Sequence, residues 1–190
     1  MTVLGLTGGI GMGKTATAAL FRARGVPVWD ADRAVHRLYG VGGAAVGPVG
    51  AAFPGTVRGG AVDRDALRAV VAADGAARRR LEGIVHPLVA EDRARFLETT
   101  DAPLVVLDVP LLFETGLDRA VDRVAVVSVD EATQRARVMR RGTMSEAEFE
   151  ALRAAQVSDG DRRARADYVI ETATPEGAAA AVDRIVEAER

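Results

Sequence analysis

Lys14 and Thr15 close the string Gly8-Gly9-Ile10-Gly11-Met12-Gly13-Lys14-Thr15, whose spacing satisfies G-x-x-x-x-G-K-[ST]. The chemistry such a string performs is the capture of a nucleotide's phosphates. Glycines let consecutive backbone N–H groups converge on phosphate oxygens without side-chain obstruction, and a helix starting at the lysine turns its positive end toward the anion. An ammonium at position 14 reaches the β- and γ-phosphates, and a hydroxyl at position 15 is a magnesium ligand. Composition sharpens this reading. Lys14 is the only lysine among 25 basic residues, in a chain where arginine serves everywhere else. With 20 glycines in 190 residues, chance yields such a string in roughly one chain in a thousand of this composition.

Other side chains have types and positions suited to phosphoryl chemistry. Asp32 follows the second apolar run, where a carboxylate either accepts a hydroxyl proton or caps the next helix. Arg137 and Arg141 stand four apart, on one face of a helix, so both guanidinium groups can reach one anion; the alternative is a solvated arginine face. Asp108 ends the most apolar run and is either a second magnesium carboxylate or the cap of the Pro110 turn. His86 either contacts an acceptor or hydrogen-bonds within a helix junction.

The elements that must position these groups are legible from periodicity. Val3–Thr7 reads as a buried strand leading into the glycines, and Lys14–Arg24 as the helix after them, closed by Gly25. Val26–Trp29 is a second strand. Residues 40–62 hold eight of the 20 glycines and two of the seven prolines and are expected to be loop. Asp63–Ala73 and Ala76–Thr100 read as helical, with Pro87 expected to start a new helix. Leu104–Val109 and Val124–Val129 are continuous apolar runs suited to the centre of a parallel sheet, with a loop and short helix between them. Glu131–Arg141 is a helix, Ser145-x-x-Glu148 a capping box opening another to about Val157, Tyr168–Ile170 a last strand, and Pro175–Glu189 a closing helix. Strands alternating with helices imply right-handed βαβ units.

The remaining composition bounds the class. A net charge of −2 offers no global attraction to nucleic acid or anionic membrane, so an anion site must be local. Without cysteine there are no disulfides or thiolate–metal sites. No run approaches the roughly 18 apolar residues of a membrane span, and a cytoplasmic location is the simplest expectation. A GTPase guanine motif needs asparagine, of which there is none. The chain is short for an ATPase motor.

Taken together, the motifs resemble the dephospho-coenzyme A kinase family nearly end to end. Leu6–Lys14 is similar to the family's opening, and Asp30-Ala31-Asp32-Arg33 follows at the family's spacing. Val62-Asp63-Arg64 with Leu67, Leu81-Glu82 and Val85-His86-Pro87-Leu88-Val89 look like its helical acceptor region. Asp108–Glu114 looks like its central strand and turn. Gln134, Arg137 and Arg141 resemble the lid helix, and Ala155-Gln156 with Ala166–Ile170 the closing segment. Three positions depart from the pattern: Met12 replaces a serine, Ala16 a hydroxyl residue, and Glu171-Thr172 an acidic–asparagine pair near the adenine site.

The resemblance implies an α/β P-loop NTPase fold, with a parallel sheet of about five strands flanked by helices, in a single kinase domain. The core would comprise residues 1–35, 101–135 and 166–190, a helical acceptor-binding insertion about 36–100, and an arginine-bearing lid about 136–165. It implies transfer of the γ-phosphoryl of ATP, with Mg²⁺, to the ribose 3′-hydroxyl of dephospho-CoA. Lys14, Asp32 and Arg141 would be catalytic. Gly9, Gly11, Met12, Gly13, Lys14, Thr15, Ala16, Arg137 and Arg141 would bind ATP; Asp32, His86, Leu111 and Leu112 the acceptor; Thr15 and Asp108 the metal. The partner would be that small molecule, with no nucleic acid or membrane, in a monomer or weak homo-oligomer. Two other readings compete: another small-molecule or nucleoside monophosphate kinase with the same core, and a nucleotide-gated binding module without turnover.

Overall fold

A computed structural model describes residues 1–72 and 74–190. The chain forms two compact units, Met1–Trp29 with Asp101–Arg190, and Asp30–Thr100.

The first unit is organised by a five-stranded sheet. Strands β1 (Thr2–Thr7), β2 (Val28–Asp30), β5 (Leu104–Asp108), β6 (Arg123–Ser128) and β7 (Tyr168–Glu171) lie in the order β2-β5-β1-β6-β7. The β1–β5, β1–β6 and β6–β7 pairs are parallel. Every residue of β5 is buried, as an apolar strand covered on both faces requires. Helices α1 (Lys14–Ala23) and α9 (Pro175–Glu189) share one core with this sheet. Leu4, Leu6, Val106, Ala125 and Val127 meet Phe21 of α1 and Val182 and Ile185 of α9 there. Each such fully buried aliphatic or aromatic side chain contributes about 1.5–3 kcal/mol. Arg24 fastens the two helices, donating from Nε to Asp183 at 2.5 Å.

The register of β1 on β5 pairs Leu6 with Asp108. Paired residues of parallel strands project to the same face, so Asp108 emerges on the side that carries α1.

Three short helices complete this unit. Asp130 caps α6 (Glu131–Arg141), Ser145 closes a full capping box on α7 (Glu146–Ala154), and Ser158 caps α8 (Asp159–Ala164). The capping duties lower the carboxyl pKa of Asp130, chiefly through the Thr133 N–H, and of Glu148, chiefly through the Ser145 N–H. The sequence pattern placed one helix from Ser145 to about Val157. The structure ends it at Ala154 and starts α8 after Ser158.

The second unit holds α2 (Ala31–Tyr39), α3 (Val46–Ala52), a hairpin of β3 (Val57–Arg58) and β4 (Ala61–Val62), α4 (Arg64–Ala72) and α5 (Gly75–Thr99). The loop expected over 40–62 is therefore structured. Gly59 and Gly60 both have positive φ, 57° and 79°, the conformation a two-residue hairpin turn demands. Val49 and Phe53 of the same stretch are buried with Leu38, Val62 and Leu67. Glycine and proline marked the turns but masked the α3 packing face between them.

The break expected at Pro87 is also absent, and α5 runs through it. Leu81, Ile84, Val85, Leu88 and Val89 keep one apolar face continuous across the proline. Gly83, whose carbonyl loses its partner at Pro87, is exposed, so water can satisfy that oxygen. The expected end of the preceding helix at Ala73 lies outside the described residues. Among those described, no helix is long and apolar enough to cross a membrane.

Candidate active site

The segment between β1 and α1 folds as an anion cradle. Gly11 and Gly13 adopt left-handed φ angles of 76° and 94°, which wind the chain tightly enough for successive N–H groups to converge. Gly13 is the N-cap of α1 and supplies no side-chain cap, and the first turn carries no acidic residue. The leading amides of α1 are therefore left for a ligand, with the helix dipole behind them.

The loop's carbonyls are committed elsewhere, which holds the amides in place. Gln134 of α6 donates from Nε2 to the Ile10 carbonyl at 2.7 Å, and the Thr172 hydroxyl donates to the Met12 carbonyl at 2.7 Å. Met12 itself is only 4% exposed and packs in the sheet core. A thioether there anchors the loop from beneath, whereas a serine would not.

Lys14 donates from Nζ to Oδ1 of Asp108 at 2.5 Å. Asp108 is 3% exposed, and the buried carboxylate gains from the lysine's charge. Thr15 and Ala16 are exposed, whereas the Thr17 hydroxyl is turned back onto the Gly13 carbonyl. Magnesium favours oxygen ligands and fills most of its shell with water and substrate phosphates. An exposed hydroxyl at the start of α1 fits that ion, and among the described residues no group of three or more His, Asp or Glu forms a dedicated metal cage.

Arg137 and Arg141 divide their tasks. Arg137 donates from Nη1 to Thr172 Oγ1 at 3.1 Å and from Nη2 to the Thr172 carbonyl at 2.6 Å. Arg141 is exposed at the end of α6. Thr172, which stands where the resembling family has asparagine, thus joins Arg137 to the phosphate loop through Met12.

Leu111 is 43% exposed, whereas Leu112 is fully buried. Its Cδ2 lies 2.9 Å from where a Gly5 Cβ would stand, so the Leu112 side chain packs in the core. In the second unit, Asp30 takes the N-cap of α2, accepting from the Arg33 N–H at 3.0 Å. Asp32 keeps an exposed carboxylate in the helix's first turn. The capping alternative for Asp32 therefore falls to its neighbour. His86 is exposed on α5.

One residue escaped the sequence reading. Arg162 of α8 is 2% exposed and lies against Gly9, its Nη1 2.9 Å from where a Gly9 Cβ would stand. It lines a cleft of about 570 Å³ within the first unit, together with Met12, Gln134, Gln156 and Asp159. Arg163 and Arg165 flank it in sequence, and no local pattern separates the three.

The family model for dephospho-CoA kinase matches residues 2–176. A dephospho-CoA kinase of Cereibacter sphaeroides is 56% identical over 183 residues, covering 96% of this chain and 93% of the relative. One of Ruegeria pomeroyi is 55% identical with the same coverage. A crystal structure of a Thermus thermophilus protein superposes with a TM-score of 0.88 at 34% identity, covering 99% of this chain and 97% of that one. With a phosphate loop between β1 and α1 and a match running through almost the whole length, the chain belongs to the dephospho-CoA kinase family.

Proposed function

We propose that this kinase transfers the γ-phosphoryl group of ATP to the ribose 3′-hydroxyl of dephospho-CoA, the final step of coenzyme A synthesis. The observation that carries the reading is the cradle at Gly8–Thr15, wound at Gly11 and Gly13 and opening onto the uncapped start of α1. The relatives' names supply the acceptor.

In the reaction, the 3′-oxygen bonds to the γ-phosphorus as the bond from that phosphorus to the β–γ bridging oxygen breaks, and ADP leaves. The hydroxyl proton goes to Asp32, the role supported by its exposed carboxylate and by its place in the Asp30–Arg33 motif. Backbone amides from Gly9 to Ala16 hold the phosphates, with Lys14 on the β- and γ-oxygens. Magnesium, held at Thr15 with Asp108 nearby, would neutralise charge on those oxygens. Helices α6 to α8 form the lid, from which Arg137 and Arg141 address the nucleotide, and His86 and Leu111 meet the acceptor. An oxygen-rich, charge-stabilising site of this kind acts by position and electrostatics rather than covalent chemistry. A cytoplasmic location and a monomer or weak homo-oligomer complete the reading.

Coupled ADP release tests it. Dephospho-CoA should outpace nucleoside monophosphates and other alcohols as acceptor, with the new phosphate on the 3′-oxygen by phosphorus NMR. Preferential turnover of a nucleotide would reassign the acceptor, and ATP binding without any turnover would leave a binding module.

A further inference from the structure

We propose that Arg162 is a further catalytic residue, whose guanidinium donates from Nη1 to an oxygen of the phosphoryl group in transit. The inference rests on the kinase reading and deepens it.

Arg162 is buried with few close partners for its charge. The Arg162 side chain is 3% exposed, yet its only side-chain partners among the described residues are Glu114 Oε1 at 3.5 Å and Gln156 Oε1 at 3.3 Å, both taken by Nη2. Nε is buried with no hydrogen-bond partner among the described residues. A guanidinium has five donors and loses its hydration on burial. Two long hydrogen bonds on one nitrogen leave most of that capacity unused. If the arginine served only to seat the surrounding helices, closer and fuller pairing would be expected. An arginine held by one edge, with donors to spare, is arranged to receive an anion.

Its location says which anion. Nη1 occupies the space beside Gly9, and the side chain lines the cleft that also reaches Met12. The φ of Gly9 is not in the left-handed region, unlike those of Gly11 and Gly13. Backbone conformation therefore does not demand glycine at position 9. A Cβ there would stand 2.9 Å from Nη1, 3.2 Å from Met12 Sδ and 3.3 Å from Gln134 Nε2, so a larger residue would push the guanidinium aside. Glu114 also accepts from the Val157 N–H at 3.0 Å, which fixes the carboxylate that steers Arg162. Glu114 faces it from the turn after β5, and the cleft it lines also carries Asp130, Glu131, Glu150 and Asp159 beside Arg153. The γ-phosphate oxygens are charged in ATP and stay so in transit, so a donor at the loop's rim holds them in both and more strongly in transit.

The test compares wild type with Arg162→Met and Arg162→Lys in three measurements: kcat with dephospho-CoA, ATP and ADP affinities by calorimetry, and thermal unfolding. Arg162→Lys keeps the charge near Glu114 and removes the fork, so it reports even if Arg162→Met does not fold. The expected result is a fall in kcat of about 10³-fold, with ADP affinity within threefold and ATP affinity falling at least tenfold more than that of ADP. The proposal is overturned if folded Arg162→Lys turns over within threefold of wild type, or if ATP and ADP affinities fall in step, as a purely structural role would dictate. Failure of the kinase reading would appear separately, as wild type releasing no ADP on addition of dephospho-CoA.

Discussion

Lys14 Nζ and Asp108 Oδ1 meet at 2.5 Å although 94 positions separate them in the chain. The contact joins the last residue of β5 to the first of α1, so the ammonium is held by the sheet beside the phosphate loop. Pre-orientation of this kind reduces what must be ordered when the ligand binds. It also makes Lys14 answerable for stability as well as for the role proposed for it in phosphate binding.

Replacing Lys14 by Met should therefore abolish turnover and destabilise the fold. Asp108 would stay buried without that cation, and breaking a largely buried pair costs about 3 kcal/mol. Urea unfolding of wild type and Lys14→Met should show a shifted midpoint at constant slope. An unshifted midpoint would mean that the pair contributes nothing to folding.

Asp32→Asn should separate binding from chemistry. Asp30 carries the helix cap, so the substitution leaves α2 intact and stability within about 0.5 kcal/mol of wild type. Loss of a general base lowers kcat by about 10²–10⁴-fold, and ATP affinity should hold. Wild-type turnover in this variant would remove Asp32 from the reaction.

Thr172→Val tests the strap between α6 and the phosphate loop. Its hydroxyl both donates to the Met12 carbonyl and accepts from Arg137. Valine has the same shape but leaves that carbonyl and a guanidinium N–H underbonded, costing about 1–3 kcal/mol. ATP affinity should fall with stability, because Met12 sits within the cradle. Calorimetric titration showing unchanged ATP binding would uncouple the two.

The Arg24–Asp183 contact gives a pH signature. Hydrogen bonding from Arg24 is the main cause holding the Asp183 carboxyl below its ordinary value of 3.8. A depressed carboxyl stabilises the folded state above its unfolded pKa, and the contribution disappears as pH falls through the folded one. The melting temperature of wild type should thus exceed that of Asp183→Asn at neutral pH, with the gap closing as the solution is acidified below 3.8. Both groups reach solvent, so the gap should also shrink in high salt.

How much of this was readable before folding follows from the range of each interaction. The cradle was legible because its geometry is local. Eight contiguous residues hold the glycines, the lysine and the hydroxyl, and the helix that follows supplies the dipole. The β5 and β6 strands and the capping box at Ser145 were legible for the same reason, since burial on two faces and a helix start each leave a short-range signature. Pro87 misled because its penalty is local whereas the face that overrides it, from Leu81 to Val89, is satisfied by distant partners. Leu111 and Leu112 are neighbours of one type, and only packing against Gly5 tells the buried one from the exposed one.

Sequence alone determined the family and the phosphate loop between β1 and α1, because the backbone torsions and charges of that loop are encoded within a single turn. Tertiary structure decided which of many arginines is buried beside the loop, which carboxylate holds Lys14, and which hydroxyl braces Met12. Those choices depend on desolvation and on contacts between residues far apart in the chain, neither of which a run of neighbouring letters contains.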